Sequence, residues 1–275
     1  MAAPADDLEQ LLGFQQTKQT KPATSKGEDQ AQKIPEPDAS DVPREKSGLD
    51  LFPEHVSGQR YKPGWYDTAI GFGKQDYQQI KCENNIRKVL ESSAPVKLLV
   101  DAMKSFGCEL KLSRNFLCEH CEGYTAGGFD PKNKVIVVCQ NNCTTQGKVT
   151  SVLAHELIHA FDACRAKVDF DNIEHLACTE IRASAITHCS FLSAMFQGAA
   201  SPWRYKNQHQ ECVKIRATES VMNSKGIPLE IALAAVEKVF PKCYKDLEPF
   251  GRIPRRNSRD FDKAYYERFY YGYAD

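Results

Sequence analysis

The segment that most restricts how this chain can fold is the run 149–161, which contains two histidines and a glutamate and no other charged side chain. Its centre has the pattern H-E-x-x-H, with His155, Glu156 and His159 in the fixed positions. Residues four apart lie on one face of a helix, so both imidazoles can reach a single ion. The uncharged flanks predict a helix buried on nearly all sides, where these polar groups would be costly without a ligand. The run therefore predicts a buried helix that binds a divalent metal ion.

The same pattern predicts a chemical role for Glu156. It is typical of zinc peptidases, in which the glutamate acts as a general base. The carboxylate projects next to the face of the two histidines, where it can take a proton from a water molecule and return it to the leaving amine. Zn²⁺ suits nitrogen and carboxylate ligands and has no redox chemistry of its own. Such a short pattern also arises by chance, but its uncharged flanks favour a zinc site over coincidence.

A catalytic zinc site needs a third protein ligand, and we expect Glu180 to supply it. Glu180 lies on the next apolar helix along the chain, which can pack against the first. Asp162 and His175 are weaker alternatives. Asp162 is as well placed to orient His159, and His175 is as well explained as a polar residue of the core. We expect Arg182 to pair with a buried carboxylate such as Asp162.

Apolar periodicity predicts an α+β fold that is mostly helical, with a short strand before the active-site helix. Helices are expected at about 77–91, 94–106, 147–165, 174–196, 208–224 and 228–243. The run 134–139 is β-branched and flanked by turn residues, so it predicts the strand. That strand could be an edge that receives a substrate backbone or an ordinary core strand. A glutamate ligand on the following helix resembles thermolysin-like peptidases, which implies a zincin-like fold.

Composition divides the chain into three parts. Residues 1–60 hold few large apolar groups, so we expect a disordered N-terminal arm. Residues 61–254 form the expected peptidase domain, and 255–275 form a basic, tyrosine-rich tail. No run is long and apolar enough to cross a bilayer, so any membrane association should be peripheral. The 36 basic and 36 acidic residues balance, which gives no reason to expect nucleic acid as a partner.

The 11 cysteines lie between positions 82 and 243 and point to an oxidising compartment. We expect a disulfide network with at least one unpaired thiol, in which Cys178 and Cys189 each tie their helix to a neighbour. A structural zinc knuckle is the alternative for four of the cysteines. These are Cys118, Cys121, Cys139 and Cys143. The N-terminus has neither an apolar signal core nor an arginine-rich transit pattern, so we expect neither targeting segment.

With these residues in view, the chain resembles the mitochondrial inner-membrane metalloproteases that mature subunit a of ATP synthase, a family also described as Ku-binding proteins. The resemblance covers about 82–254. Its strings are Gly127-Gly128-Phe129-Asp130, Cys139-Gln140-Asn141, the metal motif through Asp162, Cys164-Arg165, 175–183 and 248–254. It implies a disulfide-rich zinc peptidase, bound peripherally to the inner membrane on the intermembrane-space side. The chain departs from the family pattern at 184–189, and its odd cysteine is expected at Cys143.

Two functions from different classes follow. The first is an endopeptidase that trims the N-terminus of the subunit a precursor and assists assembly of the membrane sector, with Glu156 as the catalytic residue. The second is a non-catalytic assembly chaperone or binding module built on the same scaffold. Its contact surface would be the tail, which either meets a lipid surface or partner helix or docks on its own domain. Members of that tail are Arg252, Arg255, Arg256, Arg259, Tyr265, Tyr266, Tyr270 and Tyr271.

Overall fold

The computed structural model of the chain describes residues 74–189, 205–255 and 258–273. The expected arm at 1–60 lies outside these residues, as does the expected helical continuation from 190 to 196. The helices of the first half are α1 (Lys74–Ser92), α2 (Ala94–Ser105), α3 (Leu112–Asn115) and α4 (Gln146–Arg165). Those of the second half are α5 (Ile173–Ala183), α6 (Tyr205–Lys225), α7 (Leu229–Cys243) and α8 (Asp260–Glu267). A π-helical turn, Ser184–His188, extends α5, and a 3₁₀ turn, Arg268–Tyr271, follows α8.

The longer helices begin and end close to the residues that their periodicity predicts. The helix that carries the metal motif, α4, has Thr145 as its N-cap, and the Thr145 side chain accepts the Lys148 amide hydrogen. A capped start of this kind satisfies one of the free amides of the first turn. The prediction was least accurate at α5, which ends at Ala183 and passes into the π-helical turn.

A three-stranded sheet lies beside α4, with strands β1 (Phe116–Glu119), β2 (Gly127–Asp130) and β3 (Val135–Cys139). The strand order is β1-β3-β2, in which β1 runs parallel and β2 antiparallel to β3. The strand predicted at 134–139 is confirmed as β3, but the suggestion that it is an edge was wrong. It is the central strand because β1 and β2, which are too short to be recognised from the sequence, pair with its two sides. The edge next to the metal motif belongs to β2.

Two apolar clusters meet where α4 packs on α5. The first combines α1, α2 and the sheet with most of α4, including the fully buried Leu153, Leu157 and Phe161. The second combines α5, α6 and α7 around Ile181, Val213 and other aliphatic side chains. The histidines of the motif and Glu180 therefore lie at the junction between the two clusters.

Five disulfides cross-link the described residues, and the expected disulfide network is confirmed. They are Cys82–Cys118, Cys108–Cys164, Cys121–Cys139, Cys178–Cys243 and Cys189–Cys212. The zinc-knuckle alternative is wrong, because three of its four cysteines are consumed in two of these bonds. Cys178 and Cys189 connect to different helices, α7 and α6, as expected. Among the described cysteines only Cys143 is free, and it is buried.

A buried ion-pair network fastens the ends of α4 and α5 to the segment 246–248. Arg182 is almost fully buried and pairs with Asp162 and with Asp246, which confirms the predicted pairing to Asp162. Arg165 joins Asp162 to Asp246 and Glu248 as well. A buried pair of this type is costly to break, because removing one partner leaves an uncompensated charge. The network thus keeps α4 and α5 at a fixed separation.

The segment after residue 254 folds back on the domain. Its helix α8 packs against α2, with Ala264 and Tyr273 buried in the first apolar cluster. The helix was not predicted, and the tail docks on its own domain, which is one of the two alternatives that the sequence left open. The arginines of this region that the structure describes pair with acidic side chains, as in Arg252–Glu267 and Arg255–Asp260. None of the helices in the described ranges is long and apolar enough to span a membrane.

Candidate metal centre and its cleft

Three side chains from α4 and α5 converge at the junction of the two apolar clusters. His155 Nε2 and His159 Nε2 lie 3.1 Å apart. Glu180 Oε2 is 3.6 Å from His155 Nε2, and Glu180 Oε1 is 3.5 Å from His159 Nε2. Among the described residues, this is the group of His, Cys, Asp and Glu side chains whose ligand atoms cluster closely enough for an ion. The structure thus brings the two motif histidines together with the glutamate expected as third ligand.

The spacing of these atoms suits a metal ion. Bonds of about 2.0–2.1 Å to a tetrahedral ion place neighbouring ligand atoms about 3.3 Å apart. The three observed separations bracket that value. Glu180 Oε2 is also buried and has no hydrogen-bond partner among the residues that the structure describes, although a buried carboxylate oxygen normally has one. An ion between the three side chains would satisfy this oxygen and hold the two imidazole nitrogens in one place.

Thr179 and Asp162 fix the orientation of His159. The Thr179 hydroxyl donates to Asp162 Oδ2 (2.8 Å), so its oxygen accepts from His159 Nδ1–H (2.9 Å). This series of hydrogen bonds places the ring proton on Nδ1 and leaves the Nε2 lone pair free to bind an ion, an arrangement common for metal-binding histidines. Thr179 was missed in the sequence analysis, because nothing in the sequence pairs it with a histidine 20 residues earlier.

His155 has a corresponding partner in the π-helical turn. His188 Nε2 lies 3.0 Å from His155 Nδ1, and the Thr187 hydroxyl lies 3.5 Å from the same nitrogen. If His155 Nε2 is the ligand atom, its Nδ1–H donates to His188. The wider π turn after Ala183 places His188 beside His155. This turn supplies a contact that the motif alone did not predict.

Glu156 is buried beside the two histidines and accepts a hydrogen bond from the Phe129 backbone amide. Burial raises the pKa of Glu156 to about 7, with a further rise from Glu180, while His155 and the Phe129 amide oppose the shift. A carboxyl group with a pKa near neutrality can both take up and release a proton, which is what a general base requires.

Two of the three ligand candidates, His159 and Glu180, have the protonation states that metal ligands need, whereas the neighbouring Glu180 and Glu156 outweigh burial and raise the pKa of His155. Burial lowers the pKa of His159 to about 4, so its ring is neutral at physiological pH. Burial alone would raise the pKa of Glu180, but the neighbouring His159 and His155 outweigh it and bring the pKa to about 2. Neutral imidazole and ionised carboxylate are the forms that bind divalent ions.

A cleft of about 280 Å³ opens onto these groups, and β2 forms one of its walls. Cys139 donates its amide hydrogen to Ala126 O. In an antiparallel pair every second residue points its N–H and C=O at the partner strand, so those of Gly127 and Phe129 point away from β3. The edge of β2 therefore presents backbone groups to the cleft. Ser220, Ser224 and Lys225 of α6 line the cleft as well.

Gly127 allows β2 to lie this close to α4. A Cβ atom at this position would meet Val137 O and Val152 Cγ1 at 2.6 Å each, whereas a Cβ atom at Gly128 would meet nothing within 4 Å. Val152 lies one turn before His155 on α4. The missing side chain at Gly127 thus sets the distance between the strand edge and the metal-binding face of the helix.

The two weaker ligand candidates lie outside the cluster. Asp162 contacts Thr179, Arg165 and Arg182, so it acts on His159 through the threonine. His175 is exposed near the start of α5, and its Nδ1 accepts the Asp169 amide hydrogen (3.2 Å). Neither side chain belongs to the group of converging ligand atoms formed by His155, His159 and Glu180.

The chain is similar to known peptidases. The model of the Peptidase M76 family matches residues 80–251, more than half of the chain. The chain is 41% identical over 228 residues to the human protein named mitochondrial inner membrane protease ATP23 homolog, covering 80% of this chain and 88% of that protein. The Xenopus laevis protein of the same name is 39% identical over 235 residues, with 82% and 96% covered.

A fungal relative extends the similarity. The Yarrowia lipolytica mitochondrial inner membrane protease ATP23 is 36% identical over 185 residues, which cover 66% of this chain and 72% of that protein. No solved structure matches the chain.

Replacing Thr179 by valine tests whether its hydroxyl orients His159. Valine keeps the shape but removes the hydroxyl, and we expect metal affinity to fall about 10–100-fold. The matched control is Thr218→Val, because Thr218 is equally buried on α6 and its hydroxyl has no hydrogen-bond partner in the described ranges. Competition with a chromogenic chelator measures both affinities. Equal metal affinity in the two variants would show that the threonine does not position the ligand.

Proposed function

Because the chain belongs to the Peptidase M76 family and is a peptidase, we propose that it is a zinc metalloendopeptidase in which Glu156 is the general base and His155, His159 and Glu180 hold the ion. The observation that carries this proposal is the convergence of three ligand atoms at tetrahedral spacing beside a buried carboxyl group. A zincin-like fold is part of the proposal, since the third ligand comes from the helix that follows the motif.

The side chains divide the work of peptide hydrolysis. When bound, Zn²⁺ would act as a Lewis acid and make water more acidic at neutral pH. Glu156 would accept the proton of the attacking water and return it to the leaving amine. Thr179, with Asp162 behind it, keeps His159 oriented, while His188 does the same for His155. The protein groups therefore hold the ion and move the proton.

The free edge of β2 is the proposed binding site for the substrate backbone. The polar groups of Gly127 and the Phe129 carbonyl face the cleft, and an extended peptide can add to such an edge by main-chain hydrogen bonds. This assignment replaces the earlier suggestion that β3 receives the substrate. A peptide on β2 would run directly past Glu156, which already bonds the Phe129 amide.

The proposed substrate is the precursor of ATP synthase subunit a, and the proposed location is the intermembrane-space side of the mitochondrial inner membrane. The names of the relatives support an inner-membrane protease. Five disulfides support a compartment in which thiols are oxidised. The subunit itself follows from the resemblance of the motif strings to the family that matures it.

The proposed membrane contact is an aromatic surface at the end of the chain. Tyr266, Phe269, Tyr270 and Tyr271 are 68%, 59%, 88% and 55% exposed. Since the neighbouring arginines are paired with carboxylates, the attraction would come mainly from the rings, which favour a membrane interface. The same surface could instead contact a protein partner, and this supports the second candidate function, a non-catalytic role in assembly.

The variant Glu156→Gln separates the two functions. It keeps the size of the side chain but removes the proton acceptor, so we expect peptide cleavage to fall at least about 100-fold while zinc content stays unchanged. Glu119→Gln is the matched control, because Glu119 is an exposed carboxylate at the end of β1. Processing of the subunit a precursor in cells should stop in the first variant only. Unchanged processing with Glu156→Gln would rule out the catalytic role and leave the assembly role.

The aromatic surface predicts binding to phospholipid vesicles. We expect the double variant Phe269→Ser and Tyr270→Ser to co-sediment less with vesicles that contain anionic lipid, since both rings are exposed and available for insertion. The control is Tyr124→Ser, which removes a fully exposed ring from the loop before β2. If the double variant and the control bind vesicles equally well, the surface is not the membrane contact.

A further inference from the structure

A second cavity, of about 410 Å³, lies next to the metal cleft. It is enclosed by the segment after α2, the turn between β2 and β3, and the last turns of α4. Three residues line both spaces: Phe129, Pro131 and Phe170. The volume is within the range of sites that bind ligands. The cavity is therefore adjacent to the cleft and large enough for a side chain of a bound peptide.

An aromatic pair stands between the two spaces. The rings of Phe129 and Phe170 meet edge to face with their centroids 5.9 Å apart. On its other side, Phe170 lies 6.5 Å from the ring of His159. The cavity thus begins one aromatic ring away from the metal centre, at the end of the β2 edge. A peptide extended along β2 beyond Phe129 would arrive at its opening.

The interior and the rim of the cavity differ in chemistry. Leu110, Ile136, Ala160 and Val168 make the inner wall apolar. At the rim are the exposed cations Lys111, Arg114 and Lys134, and one carboxylate, Glu109. In the part of the chain that the structure describes, none of the three cations has an ion-pair partner. The rim is therefore a positively charged border around an apolar space.

A buried asparagine holds two of these cations in place. Asn115 Oδ1 accepts the Lys111 amide hydrogen (2.8 Å), and its Nδ2 donates to Lys134 O (2.8 Å). The turn that carries Lys134 is closed in addition by Asp130, which accepts the amide hydrogens of Lys132 and Asn133. The rim is thus built from anchored backbone, which fixes where its charged side chains begin.

We propose that this cavity is a substrate-recognition pocket that takes a large apolar side chain of the substrate together with an adjacent acidic residue. The apolar wall would receive the side chain, and Lys111, Arg114 and Lys134 would contact the carboxylate. The proposal rests on the proposed peptidase function and deepens it, because it assigns the sequence that the enzyme prefers. A peptide fits better than an anionic lipid, since the opening lies in line with the strand edge beside the metal centre.

The test uses quenched fluorescent peptides with one cleavable bond. Each peptide carries a large apolar residue next to aspartate, asparagine or lysine. This pair of residues is placed in turn at each of three positions on either side of the cleavable bond. We expect the wild-type enzyme to cleave one aspartate peptide about tenfold faster, in kcat/KM, than its asparagine counterpart. In the double variant Lys111→Glu and Lys134→Glu, the preference should reverse in favour of lysine. Lys88→Glu with Lys242→Glu is the control, because both residues are exposed and line neither cavity.

The outcomes separate this proposal from the proposed function. Cleavage without a charge preference, or with a preference that the rim variant retains, would overturn the proposed recognition pocket. The proposed peptidase function would be unaffected. If the wild-type enzyme cleaves no peptide faster than the Glu156→Gln variant does, the peptidase proposal fails. Binding of the same peptides to that variant, measured by fluorescence anisotropy, then tests the pocket proposal. Equal binding of aspartate and asparagine peptides would then refute it. If vesicles of anionic phospholipid bind through Lys111 and Lys134 while peptide cleavage shows no charge preference, the ligand of the rim is a lipid surface and not a peptide.

Discussion

The contact between α4 and α5 at Glu180 is the interaction on which the rest of the structure depends. It brings an ionised carboxylate and two imidazoles into a region enclosed by apolar clusters, where unpaired polar groups are costly. The ion proposed to be shared by the three side chains would offset that cost and satisfy the Glu180 oxygen, which has no hydrogen-bond partner within the described part of the chain. The geometry of the metal site therefore depends on how the two apolar clusters pack where α4 meets α5.

Around this contact, the protein provides several layers of support. Asp162 serves twice, since one carboxylate oxygen receives the Thr179 hydroxyl and the other receives Arg165 and Arg182. It therefore links the orientation of His159 to the buried ion pairs that hold α4 and α5 together. Disulfides from α5 to α7 and from the end of the π-helical turn to α6 restrain the same elements from outside. Residues outside the cluster thus fix where the side chains of His155, His159 and Glu180 lie.

The sequence predicted the structure best for features that depend on residues close together in the chain. The H-E-x-x-H spacing and the uncharged flanks of α4 depend on the geometry of a single helix, and Glu180 could be chosen because its helix is apolar and follows next. Features that depend on distant pairing were missed. The central position of β3 follows from two flanking strands of four residues each, neither of which has a strong pattern. The contacts of Thr179 and His188 depend on how two helices pack, and α8 was missed because its composition resembles a solvated tail.

The central claim is that His155, His159 and Glu180 together bind zinc, and X-ray absorption at the zinc edge tests it most directly. The expected spectrum of the zinc-loaded protein shows two imidazole nitrogens with oxygen neighbours, all at about 2.0–2.2 Å, and no sulfur. In Glu180→Gln the same measurement should show loss of zinc or an altered oxygen shell. A sulfur neighbour at about 2.3 Å, or an unchanged spectrum in the variant, would contradict the assignment.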